Sequence, residues 1–158
     1  MRLLSSSELK YLRERLRVQY GVENAFEGYV LIRAGQGRIR ATTSETLEVA
    51  TRLRKVQQVG LYIAKLIKSD IVLSIEGSQL LDGAIKKNVI ELSEEEAEKW
   101  MKAAPIERSR EKSEARYVVA RCGDLYLGSG RFSRDGRIYP QVAKWRSCLL
   151  YTSPSPRD

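Results

Sequence analysis

Residues 117–130 constrain the fold of this chain more tightly than any other stretch. Tyr117-Val118-Val119-Ala120-Arg121-Cys122 is an apolar, β-branched run that reaches Gly123-Asp124 and returns as Leu125-Tyr126-Leu127-Gly128-Ser129-Gly130. Two such runs joined by two residues with glycine first predict an antiparallel hairpin with a tight turn. Glycine inside a strand weakens it and is found where a second backbone comes close. Gly128 and Gly130 therefore predict packing at the corner of a small barrel. The stretch is not a phosphate loop, because Ser129 stands where the lysine that follows the last glycine of such a loop would be.

The same kind of punctuation organises the rest of the chain. Ser5 and Glu8 have capping-box spacing, with Leu4 and Leu9 placed as a hydrophobic staple. Leu9, Leu12 and Leu16 then repeat at helical spacing, so a helix is expected to bury that face and end before Gly21, with Arg13, Arg15 and Arg17 on a solvated face. Residues 27–33 and 37–42 read as a hairpin turning at Gly35-Gln36. Ser44 is placed to cap a second helix through about Lys55, with Leu47, Ala50 and Leu53 on its buried stripe. Residues 59–67 and 71–75 suit a second hairpin linked by Lys68-Ser69-Asp70, and a short helical turn is expected to begin at Ser78, before a domain boundary at Gly83. Beyond it, Lys86-Lys87-Asn88-Val89-Ile90-Glu91-Leu92 is an apolar run behind two lysines. Ser93 and Glu96 repeat the capping-box spacing, Ala97, Trp100, Met101 and Ala104 share one helical face, and Pro105 ends that helix. Trp100 is expected in the core. Residues 105–114 read as a mobile charged connector, and Asp135-Gly136 fits a turn with positive φ at both positions. The pattern is α+β: an α/β unit over residues 1–83, then a small β-barrel with a short helix over residues 84–146.

No catalytic constellation is legible. The 158 residues contain no histidine, which removes the commonest general base and metal ligand. Asp124 and Asp135 are accounted for by turns, and the Glu94-Glu95-Glu96 cluster by the dipole of the helix it opens. No enzyme activity, cofactor or metal is expected. The apolar runs are too short to span a bilayer and no secretory signal is apparent, so a cytoplasmic protein is expected. The last eleven residues, from Cys148 to Asp158, match the translation of a transposon mosaic-end adapter; residues 147–158 are expected to be non-native, with the natural chain stopping near Arg146 or Ser147. Cys122 is then the single cysteine, expected as a buried thiol without a disulfide or zinc role.

Charge points to a surface instead. The net charge is +8, from 28 basic and 20 acidic residues. The stretch from Lys112 to Arg146 carries eight basic residues against Glu114, Asp124 and Asp135. A polyanion partner suits that asymmetry, because each phosphate neutralised releases counterions. Arg131, Arg134, Arg137, Lys144 and Arg146 flank two turns and the closing strand, with Tyr126, Tyr139 and Trp145 among them. Guanidinium groups interleaved with aromatics suit RNA phosphates and splayed bases, although Tyr126 and Trp145 equally suit a barrel interior. Contact between Gly128-Ser129-Gly130 and an RNA backbone is a second reading, behind barrel packing.

Together, residues 116–130, with their strand, turn and Leu127-Gly128-Ser129-Gly130 strand, resemble an RNA-binding PUA domain. Residues 37–45 followed by 59–65 are similar to the strand, helix and glycine-bearing strand of the Nip-seven ribosome-assembly proteins, in which a pre-PUA domain precedes the PUA domain. Lys86 to Leu92 and the closing Pro140-Gln141-Val142-Ala143-Lys144-Trp145-Arg146 also resemble the PUA-like C-terminal domain of RsmF-type 5-methylcytosine RNA methyltransferases. No S-adenosylmethionine site or catalytic cysteine motif accompanies them. The resemblance implies non-catalytic binding to ribosomal RNA during ribosome assembly, in an archaeon-like cell, with a ribosome-assembly protein as partner. The alternative is an RNA-docking adaptor working with a separate methyltransferase. It also implies RNA contact at Arg134, Arg137, Lys144 and Arg146. Arg131, Arg121, Lys86 and Lys87 are added from their charge alone.

Overall fold

In the computed structural model, which describes residues 2–53, 60–108 and 115–142, the Ser5 capping box opens helix α1 (Ser6–Tyr20) as its spacing predicts. The Glu8 N–H donates to Ser5 Oγ at 3.2 Å and the Ser5 N–H to Glu8 Oε1 at 2.9 Å. Gly21 ends the helix in the left-handed region. Leu12 and Leu16 are fully buried, with Leu4 and Leu9 at the edge of the same core.

Helix α1 packs on a five-stranded antiparallel meander, β1 (Arg2–Leu3), β2 (Val30–Arg33), β3 (Arg38–Thr42), β4 (Leu61–Ile67) and β5 (Asp70–Leu73), whose spatial order is the chain order. Both expected hairpins form, but with shorter strands. Phe26 and Gly28 have φ of 58° and 88°, so residues 27–29 turn rather than extend. Helix α2 (Ser44–Arg52) is capped by Thr43, not Ser44: Thr43 keeps an extended backbone and its hydroxyl accepts from the Thr46 N–H at 3.1 Å. Ala50 and Leu47 pack inward on Ile32, whereas Leu53, expected on the buried stripe, is exposed. Lys55 and Val59 lie outside the described residues. Helix α3 (Ile75–Leu80) starts before the expected Ser78, because the Ser74 hydroxyl accepts from the Gly77 N–H at 2.9 Å.

The second sheet is ordered β6-β8-β9-β10-β7, from β6 (Val89–Glu91), β7 (Ile106–Glu107), β8 (Tyr117–Cys122), β9 (Leu125–Phe132) and β10 (Arg137–Pro140). β6 runs parallel to β8 and every other pairing is antiparallel. Helix α4 (Glu94–Met101) has its capping box at Ser93 and Glu96. Trp100 is fully buried and its indole N–H donates to the Leu127 carbonyl at 2.9 Å. Residues 105–108 of the expected mobile connector are held in place, and residues 109–114 lie outside the described residues. Ile106 and Glu107 pair with β10, and Arg108 bonds both Glu96 oxygens, at 2.5 and 2.9 Å. That guanidinium, with the Ser93 N–H, holds the Glu96 carboxyl down at about 2. Gly123 supplies the positive φ of the first turn as expected, but the second is a wider loop over residues 133–136 in which only Gly136 has positive φ. Asp135 keeps negative φ, with its carboxylate accepting from the Arg137 N–H at 3.1 Å. Cys122 is a free thiol, half-buried rather than buried. The whole is a mixed helix-and-sheet α+β structure with one sheet curled into a half-barrel.

Gly128-Ser129-Gly130 closes the seam between the sheets. A Cβ on Gly130 would lie 2.3 Å from Trp100 Cη2 and 2.7 Å from Ile138 Cγ2. Gly128 has φ of 83°, and a Cβ there would crowd the backbone around Leu73 to Ile75. The Ser129 hydroxyl accepts from the Leu73 N–H at 2.8 Å and meets Tyr20 Oη at 2.9 Å. Tyr20 donates its single proton to the Ile71 carbonyl at 2.9 Å, so Ser129 is the donor to Tyr20. Burial pushes the Tyr20 phenol well above its ordinary range. The Ser78 hydroxyl accepts from the Gly128 N–H at 3.0 Å. Val119 and Tyr126 share one core cluster with Leu12, Leu16, Ile63 and Leu73. Gly83, the expected boundary, is an exposed turn residue on the chain between the sheets.

Candidate nucleic-acid interface

The β9–β10 hairpin gathers three of the basic residues singled out by the sequence. Arg131 lies on β9 opposite both Tyr117 and Tyr139 in register, with its guanidinium 5.5 Å from the Tyr139 ring centre. That distance suits a cation–π contact. Arg134 is exposed in the loop and Arg137 is exposed at the start of β10. Among the described residues, no carboxylate forms an ion pair with any of the three. Asp135 is the nearest acid in sequence. Its carboxylate accepts from the Tyr139 hydroxyl at 2.9 Å and from the Arg137 N–H, and these bonds hold it below the usual carboxylate range. Tyr139 is thereby held between a guanidinium on its face and a carboxylate at its hydroxyl. Glu107 stands opposite Arg137 in the β7 register.

Arg121 does not join this group. Its guanidinium pairs with the Glu91 carboxylate, and it lies 5.6 Å from the Tyr126 ring centre. Glu91 and then Tyr126 raise its already high pKa. Arg121 is paired with Tyr126, five positions before Arg131 on β9, which at roughly 3.3 Å per residue puts it about 17 Å from the hairpin group. Tyr126 itself is buried, as a barrel residue would be. Lys86 and Lys87 are exposed, and their backbone N–H groups donate to the Tyr20 carbonyl at 2.8 and 3.2 Å, which fixes that segment over the end of α1. Lys144, Trp145 and Arg146 lie outside the described residues.

Three cations that the sequence did not single out as contacts, Arg15, Lys68 and Arg116, line one cleft. The Phe132 N–H donates to the Arg116 carbonyl at 2.9 Å, so Arg116 sits beside the strand that carries Arg131. Arg116 lines a cleft of about 450 Å3 together with Arg15, Gln19, Lys68, Asp70 and Asn88. Arg15 is not on a freely solvated face: it is half-buried, with Nε donating to the Ser69 carbonyl at 2.8 Å. No local motif could have revealed this cleft, because its walls come from positions about fifty residues apart.

Among the described residues no group of three or more His, Cys, Asp or Glu side chains could hold a metal ion, and no helix is long and apolar enough to cross a membrane. What the arrangement offers chemically is charge and one half-buried aromatic, suited to phosphates and bases. No known protein-family model matches the chain, and no curated protein matches it.

Proposed function

We propose that this protein is a non-catalytic RNA-binding protein, acting in the cytoplasm on ribosomal RNA during ribosome assembly, with the second sheet as a PUA-like module. One observation carries the reading: Arg131, Arg134 and Arg137 share one hairpin with Tyr139, whose ring Arg131 covers, and no described carboxylate forms an ion pair with them. Guanidinium groups left without acidic partners are placed to neutralise phosphates, and an aromatic among them offers a face to a splayed base. A five-stranded sheet with one parallel pair and a short capped helix supports the PUA-like reading of the module.

The test is a filter-binding titration of the protein against a structured ribosomal RNA fragment at several salt concentrations. The wild type is expected to bind with affinity that falls steeply with salt, the slope reporting the number of phosphates neutralised. R134E/R137E is expected to weaken binding about tenfold or more and to flatten that slope by one to two. Salt-insensitive binding, or no loss in the double variant, rejects the reading.

A further inference from the structure

We infer that the cleft at the seam of the two sheets is a second phosphate-binding site, which takes the backbone of the same single RNA strand that the β9–β10 hairpin holds. The inference rests on the RNA-binding reading above and adds the first sheet and α1 to the interface.

The cleft has the chemistry of such a site. Arg15, Lys68 and Arg116 contribute three positive charges to its lining and Asp70 one negative charge, an excess of two. None of the three cations forms an ion pair with a described carboxylate. Arg15 is oriented through its Nε bond to Ser69, which leaves the two terminal guanidinium nitrogens to a ligand. Lys68 stands at the exposed β4–β5 turn, and Arg116 is exposed on the opposite wall. Asn88, at the floor, donates its side-chain amide to the Gln19 carbonyl, and Gln19 in turn exchanges two hydrogen bonds with the Ile71 backbone at 2.8 and 2.9 Å. The cationic walls therefore stand on a hydrogen-bonded polar floor and not on loose chain.

Continuity selects a strand over a small anion. Tyr117 follows Arg116 directly and stands opposite Arg131 in register, which stands opposite Tyr139, so Arg116 at the rim of the cleft lies one strand from Arg131 and two from Tyr139. Adjacent strands are about 4.8 Å apart, and successive phosphates of a single strand are separated by a comparable distance. A site of a few nucleotides spans both cation groups. Unlike the hairpin, the cleft takes its cations from both halves of the chain, so RNA bound in it would grip both sheets.

The experiment uses the full chain and a fluorescein-labelled single-stranded oligouridylate of about twelve nucleotides, read by anisotropy at several salt concentrations. K68E/R116E is compared with R134E/R137E, and the neutral K68Q/R116Q with both; far-UV circular dichroism and thermal melts confirm that each variant is folded. The expected result is a loss of about tenfold for K68E/R116E, a smaller loss for K68Q/R116Q, and a salt slope reduced by about 1.4, the value for two phosphates on a single strand. Wild-type affinity in folded K68E/R116E alongside weakened R134E/R137E overturns the cleft site and leaves RNA binding in place. No RNA binding by the wild type overturns both. Displacement of the oligouridylate by inorganic phosphate at equal phosphate concentration assigns the cleft to a free anion and overturns the strand.

Discussion

Strand β9 contains two regions that use opposite chemistry within ten residues. Its middle, Gly128-Ser129-Gly130, is buried and uncharged: one side meets Trp100, and on the other the Ser129 hydroxyl bonds Tyr20 at the end of α1 and Leu73 of the first sheet. Its end carries charge toward solvent, with Arg131 half-buried on the strand and Arg134 exposed in the loop that follows. The difference teaches that the open end can hold cations without ion-pair partners because the middle is pinned. A strand anchored by close glycine contacts and a two-way serine presents its guanidinium groups at fixed spacing, and interfaces built on rigid elements lose less freedom on binding.

The sharpest way to break the contrast is to expand the pinned region. G130V is expected to destabilise by about 3 kcal/mol or more, because its branched side chain would overlap Trp100 and Ile138 in a filled core; a urea melt followed by Trp fluorescence measures it. S129A is expected to cost about 1–3 kcal/mol by leaving the buried Leu73 N–H without an acceptor. Denaturant unfolding of S129A against wild type reads this, and an unchanged midpoint would show that the seam does not depend on Ser129.

A smaller effect tests whether charge can also be structural. Glu96 sits at about 2, below its ordinary 4.5, because Arg108 and the Ser93 N–H favour its ionised form. A carboxyl with a depressed folded-state pKa stabilises the fold above its unfolded pKa and loses that contribution as pH falls through the folded value. The wild type is therefore expected to lose stability between about pH 4.5 and pH 2, and E96Q to lose less over the same interval. At neutral pH, E96Q should cost about 1 kcal/mol at most, since the pair is partly solvated; thermal melts across that pH range check both. The smallest expected effect is at Glu91. E91A releases Arg121 from its carboxylate, yet RNA affinity should rise less than about threefold, because Arg121 stands far from the hairpin group. A larger gain in the same titration would move the interface toward the β8–β9 turn.

Local chemistry was readable in advance where it depended on near neighbours. Both capping boxes, the helix end at Gly21, the buried Trp100 and the glycine packing at positions 128 and 130 follow from contacts that their own residue types demand. Turn details were less readable: Thr43 took the cap from Ser44, and Asp135 avoided positive φ by accepting a bond from the Arg137 N–H. Least readable were features set by distant segments. The parallel pairing of β6 with β8, the edge strand β7 and the Arg15–Lys68–Arg116 cleft depend on which surfaces meet, and hydrophobic spacing along the chain carries no record of that. The cluster read from sequence divided for the same reason. Arg131, Arg134 and Arg137 share a hairpin, while Arg121 shares only a composition with them and is neutralised by Glu91.

The bond between Tyr20 and Ser129 joins positions 109 apart. During synthesis, the Leu73 N–H and the Tyr20 phenol must wait for more than fifty further residues before Ser129 arrives. Until then the growing N-terminal half carries an uncapped apolar face, so a nascent chain stalled before Gly130 should be a substrate for holdase chaperones, and one released past Pro140 should not.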